Sequence, residues 1–276
     1  MGAMAANGST ADIAFTKFVF LSPPASDETT LSKLRAIGAH VGRGFFNEYD
    51  IEGPVSMLGV ARDGQAYETM QFLIQDTMPF ILSGDASDWM AQAKYVVQIS
   101  SKYRPRLEEV ESELRRRVAD AAQVRAMDGV LRGPRYSSAE LQQYLSKTPA
   151  SRRNGRVSRN AIIFPLRKRR EWWQQSALER HMYFYPHLDR TTGVSVKGHA
   201  LAAEPGLPAL VRRLYHNPDG YQRAGEYDFI AYFECSDEGL PVFDRVCKAL
   251  RDPLQNPEWR YVEEGPVWRG KRVIRW

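Results

Sequence analysis

A chain of 276 residues with 43% hydrophobic and 26% charged residues has the balance of a globular protein long enough for two cores of ordinary size, which excludes global disorder and fibrous classes. No apolar run approaches the roughly 20 residues of a membrane-spanning helix, and the opening MGAMAANGST lacks the charged-then-apolar order of a secretory leader, so a cytoplasmic protein without membrane partners is expected. The formal charge of +5 and the dense run Arg152, Arg153, Arg156, Arg159, Arg167, Lys168, Arg169 and Arg170 raise nucleic acid as a partner, but no finger spacing or ribonucleoprotein signature accompanies them, and no nucleic acid is expected.

Residues 1–10 read as a disordered tag or tail. Residues 15–21 (FTKFVFL) then read as a strand closed by Ser22-Pro23-Pro24, with Ser26 or Asp27 capping a helix over 30–45. Residues 55–61 and 67–74 read as strands joined by an Asp63-Gly64 turn, followed by a helix near 79–93 and the alternating strand 94–100 (KYVVQIS). Residues 107–125 carry i, i+4 Glu-to-Arg pairs and read as an exposed helix linking two halves, and the polar stretch 131–158 reads as the linker proper.

The same order is expected again from 159: strand 161–165, helix 176–187, strands 211–216 and 227–235 paired with each other, the amphipathic helix 240–250, and 259–262 leading to Gly265-Pro266. YETMQFLI resembles YDFIAYFE, and KYVVQIS sits where WRYVEEG does. The prediction is an α+β chain of tandem ferredoxin-like (βαββαβ) domains, 11–130 and 159–276, whose antiparallel sheets pack their free faces together in the manner of a dimeric α+β barrel.

Only Cys235 and Cys247 occur, without metal or redox spacing, and they read as buried structural thiols. No zinc-protease pair, nucleophile elbow, Walker loop or dinucleotide fingerprint is present, which leaves five histidines, at 40, 181, 187, 199 and 216, as the places to look for a metal or proton site.

One of them stands in a recognisable setting. The stretch AIIFPLRKRREWWQQSALERHMYFYPH, with LVRRLYHNPDGYQRAGEYDFIAYFE and NPEWRYVEEGPVWRGKR after it, resembles the chlorite dismutase-like haem protein family, which also holds coprohaem decarboxylases. The strand ending in Pro165, the basic Lys168, the Trp172-Trp173 pair, Glu179-Arg180 and a histidine at the helix end match in order and spacing. The resemblance covers 158–276 and implies a haem b cofactor, with coprohaem as the alternative.

It also implies roles. His187 becomes the proximal iron ligand, Trp172 and Trp173 flank the porphyrin (core packing being the plainer reading of Trp173), and Lys168 lies near the propionates. Glu258, or equally Asn256, becomes the group that orients the imidazole. Arg212 takes the distal place of the family's arginine, where a permanently charged guanidinium would stabilise an oxyanion, with His199 as its competitor because the stretch before Arg212 is about a dozen residues longer than usual.

Phe164 stands where coprohaem decarboxylases carry a radical-forming tyrosine, which disfavours that reaction unless Tyr183 or Tyr185 substitutes. The implied activity is that of a haem-dependent oxidoreductase acting on chlorite, another small oxyanion or a peroxide, in a homo-oligomer, pentamer or dimer. A haem-biosynthetic or dehydratase enzyme, a non-catalytic haem carrier or sensor, and a haem-free interaction domain are the rivals.

Overall fold

A computed structural model of the chain describes residues 14–24, 28–30, 32–34, 36–37, 69–76, 89–131 and 159–272. The expected tail over 1–10, the caps Ser26 and Asp27, the strand 55–61 with its turn, most of the helix near 79–93 and the linker beyond 131 lie outside the described residues.

Alternating strands dominate both halves. The first contains β1 (Ala14–Ser22), β2 (Thr69–Gln75), the short helix α1 (Trp89–Gln92), β3 (Tyr95–Ser101), α2 (Arg104–Val118) and β4 (Gln123–Leu131), with helical backbone also at 28–30, 32–34 and 36–37. The second runs β5 (Asn160–Lys168), α3 (Arg170–Gln174), α4 (Ala177–Met182), the ribbon β6 (His187–Leu188) and β7 (Ser195–Val196), α5 (Gly198–Ala203), β8 (Leu210–His216), β9 (Phe229–Cys235), α6 (Leu240–Arg251), a 3-10 turn Pro257–Tyr261, β10 (Val262–Glu264) and β11 (Trp268–Arg272).

Every ladder among them is antiparallel. The sheet order is β2-β3-β1-β4 in the first half and β11-β5-β9-β8 in the second, and the halves join edge to edge through β4 with β8 and β2 with β11. The sheet therefore closes into a barrel. A dimeric α+β barrel arrangement of the two sheets was expected, and the structure forms a barrel by joining the sheets at both edges. The reason is the period-2 pattern: each strand has one face for the barrel interior and one for a helix, so closure buries both faces and leaves the long strands no bare edge.

Phe18, Phe20, Leu73, Val96, Ile163, Tyr215, Tyr232 and Trp268 fill the interior, while Val19, Phe72, Val97 and Ile99 point outward under α2. Trp268 is fully buried, and its indole nitrogen donates to the Ala93 carbonyl at 2.8 Å, which stitches the second half to the first.

The helix read as an exposed connector is part of the first half. α2 carries its Glu–Arg pairs outward but buries Leu107, Val110, Leu114 and Val118 against β1 and β3, each worth about 1.5–3 kcal/mol of removed apolar surface. β4, which follows it, and β11 were not anticipated: Gln123–Leu131 holds only two buried residues and Trp268–Arg272 alternates Trp and Gly with Arg and Lys, so neither reads as apolar. The internal repeat is correspondingly shifted by one strand. By place in the sheet KYVVQIS (β3) corresponds to β9, not to WRYVEEG.

In the second half α6 lies on the outer face of β5 and β9, over Ile162, Phe164, Ala231 and Phe233. Cys235 and Cys247 are buried and unpaired, as expected, and burial pushes both thiols up to about 12. Among the described residues no helix is long and apolar enough to cross a membrane.

Candidate functional site

The helix expected over 176–187 stops early. Ser176 and Glu179 form a capping box that starts α4, and the helix ends at Met182, four residues before Pro186, a residue that cannot continue a helix. The chain then leaves as the two-stranded ribbon β6–β7, in which His187 pairs with Val196 and Gly193, at φ +68, makes the turn.

On its return the ribbon resumes where α4 left off. His199 N–H and Ala200 N–H donate to the carbonyls of Tyr183 (2.9 Å) and Phe184 (3.0 Å), so α5 docks directly on the end of α4. Gly198 permits this approach: its φ is +73, and a Cβ there would lie 2.4 Å from the Tyr185 carbonyl oxygen.

This geometry brings together a buried relay. Lys168, at the end of β5, places its ammonium 2.5 Å from one oxygen of Glu258, and His199 donates its Nδ1–H to the other at 2.7 Å. Glu258 and Lys168 are 6% and 8% exposed, so both charges depend on each other. Burial pushes the Glu258 carboxyl up, but Lys168 and His199 outweigh it and hold it well below the usual carboxylate range. Burial pulls Lys168 down, with Glu258 opposing. The Lys168 ammonium also lies 4.1 Å over the Trp172 ring, which is wedged between Tyr183 and Tyr261.

His187, expected as the ligand, is half-buried at the start of the ribbon. Its Nδ1–H donates to the carbonyl of Tyr185 at 2.8 Å and its ring meets Tyr183 edge-on. The expectation that Glu258 orients His187 is corrected, because both oxygens of that carboxylate are taken by Lys168 and His199. Asn256 is a buried structural residue whose amide donates to the Leu250 carbonyl. Phe164 lies in the packed layer beneath α6, stacked on Phe233 at 5.7 Å.

Sequence spacing did not reveal the relay because His187 and His199 are twelve positions apart, which is the length of the excess before Arg212. A gap placed before the ribbon selects His199, and one placed after it selects His187. Val196 returning opposite His187 is the structural reason both fit.

The ribbon is clamped. Asp189 accepts two hydrogen bonds from Arg260 (3.2 and 2.7 Å) and one from the Thr192 hydroxyl (2.7 Å), which fastens it to the turn that carries Glu258. The Arg260 guanidinium holds the Asp189 carboxyl down to about 2. Asp189→Ala is expected to lower stability by about 2–3 kcal/mol, read from denaturation midpoints. Because the folded pKa is depressed, the wild-type advantage is complete above about pH 4 and disappears as pH falls toward about 2.

On β8 alternation sends Arg213 and Tyr215 toward the barrel interior and Leu210, Arg212, Leu214 and His216 to the outer face, the one that also bears Phe229. Arg212 is exposed on this face, desolvation by the surrounding protein lowers its pKa with Glu258 opposing, and among the described residues its side chain makes no hydrogen bond. At the far end of this face Trp173 stacks on Tyr221 (4.4 Å) and Phe229 (6.3 Å), with Arg180 above it.

Buried donors are left over here. Among the described residues, Trp173 Nε1 and Arg180 Nε have no hydrogen-bond partner. Of the basic run, Arg167 and Arg169 pair with Glu263 instead of forming a free patch. Among the described residues no group of three or more His, Cys, Asp or Glu is placed to hold a bare metal ion.

No protein-family model matches this chain, and no curated protein does. Solved structures do. A mutant chlorite dismutase from Candidatus Nitrospira defluvii with an arginine replaced by glutamate superposes with a TM-score of 0.64 at 16% identity, covering 94% of this chain and 91% of that one. The same organism's chlorite dismutase in complex with imidazole gives 0.60 at 18% identity, and a tryptophan-to-phenylalanine mutant in complex with cyanide 0.60 at 17%, covering 94% of this chain and 91% and 90% of theirs. With its closed antiparallel barrel and outer helices, this chain has the fold of the chlorite dismutase structures.

Proposed function

We propose that the chain is a haem-dependent oxidoreductase in which His199, not His187, is the axial ligand, and in which Arg212 receives a small anionic or peroxide substrate. The observation that carries this is the Lys168–Glu258–His199 relay. An imidazole whose Nδ1–H is given to a carboxylate is fixed in the tautomer that leaves Nε2 as the lone-pair nitrogen, and its basicity is raised. His187 has the same tautomer, but its partner is a neutral carbonyl two residues away.

The residues present suit a haem. An apolar face bearing Leu210, Leu214 and Phe229 accommodates a flat macrocycle, and the orphaned Trp173 Nε1 and Arg180 Nε offer donors to anionic propionates. Haem, when bound, would supply an iron centre for oxygen-atom and electron transfer. The chain's own groups do the rest: Lys168 keeps Glu258 ionised, Glu258 orients and polarises His199, and Arg212 binds and steadies negative charge on the outer face without ever releasing a proton. Phe164, without a hydroxyl and packed under α6, favours oxyanion or peroxide chemistry over coprohaem decarboxylation.

The matching strand orders of the two halves support their reading as tandem ferredoxin-like units. A homo-oligomer belongs to the same proposal, with its contacts made by side chains of helices and loops, since closure leaves the long strands no edge to share.

Titration of the purified chain with haemin, followed by an oxygen electrode with chlorite and a peroxide assay, tests the proposal. A histidine-type Soret band with turnover is expected, and Arg212→Ala should lower kcat/KM for chlorite by about 10²–10³-fold. Haem uptake without either turnover would overturn the enzyme in favour of a carrier, and absence of uptake would overturn both.

A further inference from the structure

We infer that Tyr221 is a redox-active residue through which bulky one-electron donors, such as phenols and aromatic amines, are oxidised at the surface. The inference rests on the haem reading above. Three features point to it.

The first is coupling. The Tyr221 ring lies on the Trp173 indole at a centroid distance of 4.4 Å and an interplanar angle of 18°, closer than the other aromatic pairs around the site. Trp173 stands over Phe229, two strand rows from Arg212 on the same outer face of β8 and β9, so the pair lies at the far end of the face that carries Arg212.

The second is a base. Oxidation of a phenol at neutral pH requires loss of its proton, and Nδ1 of His216 is 2.7 Å from the Tyr221 hydroxyl, positioned to accept it. The Tyr183–Tyr261 pair beside Trp172 lacks this device, because each hydroxyl meets another hydroxyl at 3.2 Å.

The third is that the loop holding Tyr221 is tied down on both sides of the ring. Gln222 adopts φ 61, a conformation unusual for a residue with a side chain, and its N–H donates to the buried Asp228 carboxylate at 2.6 Å. Asp219 is gripped by Arg104 of α2 through two hydrogen bonds of 2.7 and 2.8 Å. The ring is thereby fixed on Trp173 while residues 222–226 beside it are exposed.

In the step, Tyr221 gives one electron to the site through Trp173 and its hydroxyl proton to His216, becoming a neutral radical. A phenol at the surface then returns one electron, His216 gives its proton back to Tyr221, and the phenol's own proton passes to solvent, from which the peroxide reduction draws one proton per cycle. Two such cycles reduce one hydrogen peroxide to two waters and leave two donor radicals.

The test uses the haem-loaded full chain, mixed with hydrogen peroxide in the presence of a nitroso spin trap and mapped by peptide mass spectrometry. An adduct on Tyr221 is expected. Tyr221→Phe, which preserves the stack, should remove it and slow oxidation of a bulky dye at least tenfold while the Soret band is unchanged. His216→Gln should lower the adduct yield with Tyr221 intact. A loaded wild type with no adduct on Tyr221, or a Phe variant that oxidises the dye at the wild-type rate, overturns the inference and leaves the haem reading standing. Failure to take up haem overturns the reading beneath it.

Discussion

His199→Ala is expected to abolish the histidine-type haem spectrum, with apparent haem affinity falling by more than the 10–100-fold that loss of a ligand's supporting partner alone costs. His187→Ala should keep the spectrum. The contrast follows from the partners: His199 is backed by a buried carboxylate that itself leans on a buried ammonium, whereas His187 is backed by a carbonyl of its own turn. Absorbance titrations of the two variants, with far-UV circular dichroism to verify folding, decide it. Should His187→Ala lose the spectrum and His199→Ala retain it, the assignment must be reversed.

Glu258→Ala is expected to be the most destabilising single change in the site, by about 3–5 kcal/mol, because it strands the Lys168 ammonium in a place from which water is excluded. The double variant Lys168→Met/Glu258→Gln, which removes both charges, should recover most of that loss. The carboxyl's depressed folded pKa sets the pH dependence. Its stabilisation is complete above the unfolded carboxylate value of about 4.3 and is progressively lost as pH falls below it. Urea midpoints between pH 7 and pH 3 for wild type and variants measure both effects. If the single and double variants were equally unstable, the loss would belong to the cavity and not to the stranded charge.

The fold was legible from strand pattern: β1, β3, β8 and β9 follow from their alternation, β5 from the apolar run AIIFP, and α6 from its own period. It was not legible where burial is carried by partners distant in sequence. β4 pairs with β1 over nine positions although few of its own side chains are buried, and β11 closes the barrel with only Trp268 and Gly270 to announce it. α2 was misread because its outward Glu–Arg pairs are conspicuous and its inward stripe of four aliphatics is sparse.

The site was half legible. The family resemblance pointed to Lys168 and Trp172, whose cation–ring contact the structure shows, to Trp173, which stacks on Tyr221, and to Arg212 on β8. It could not single out the imidazole, since a self-contained detour between two docked helices lets two histidines satisfy the same spacing. Tyr221 gave no signal and His216 stood only among the five histidines: their meeting depends on how the loop after β8 is folded back and tied by Asp228 and Arg104.

Because β4 meets β8 and β11 meets β2, each half supplies the other's missing neighbours at two seams. A cut between Leu131 and Asn160 that separated the halves would bare the edges of β2, β4, β8 and β11, which meet one another in the intact barrel, and a fragment made that way would seek another chain's complement. The covalent tether between the halves is thus a safeguard against promiscuous strand exchange, independent of whatever is bound outside the barrel.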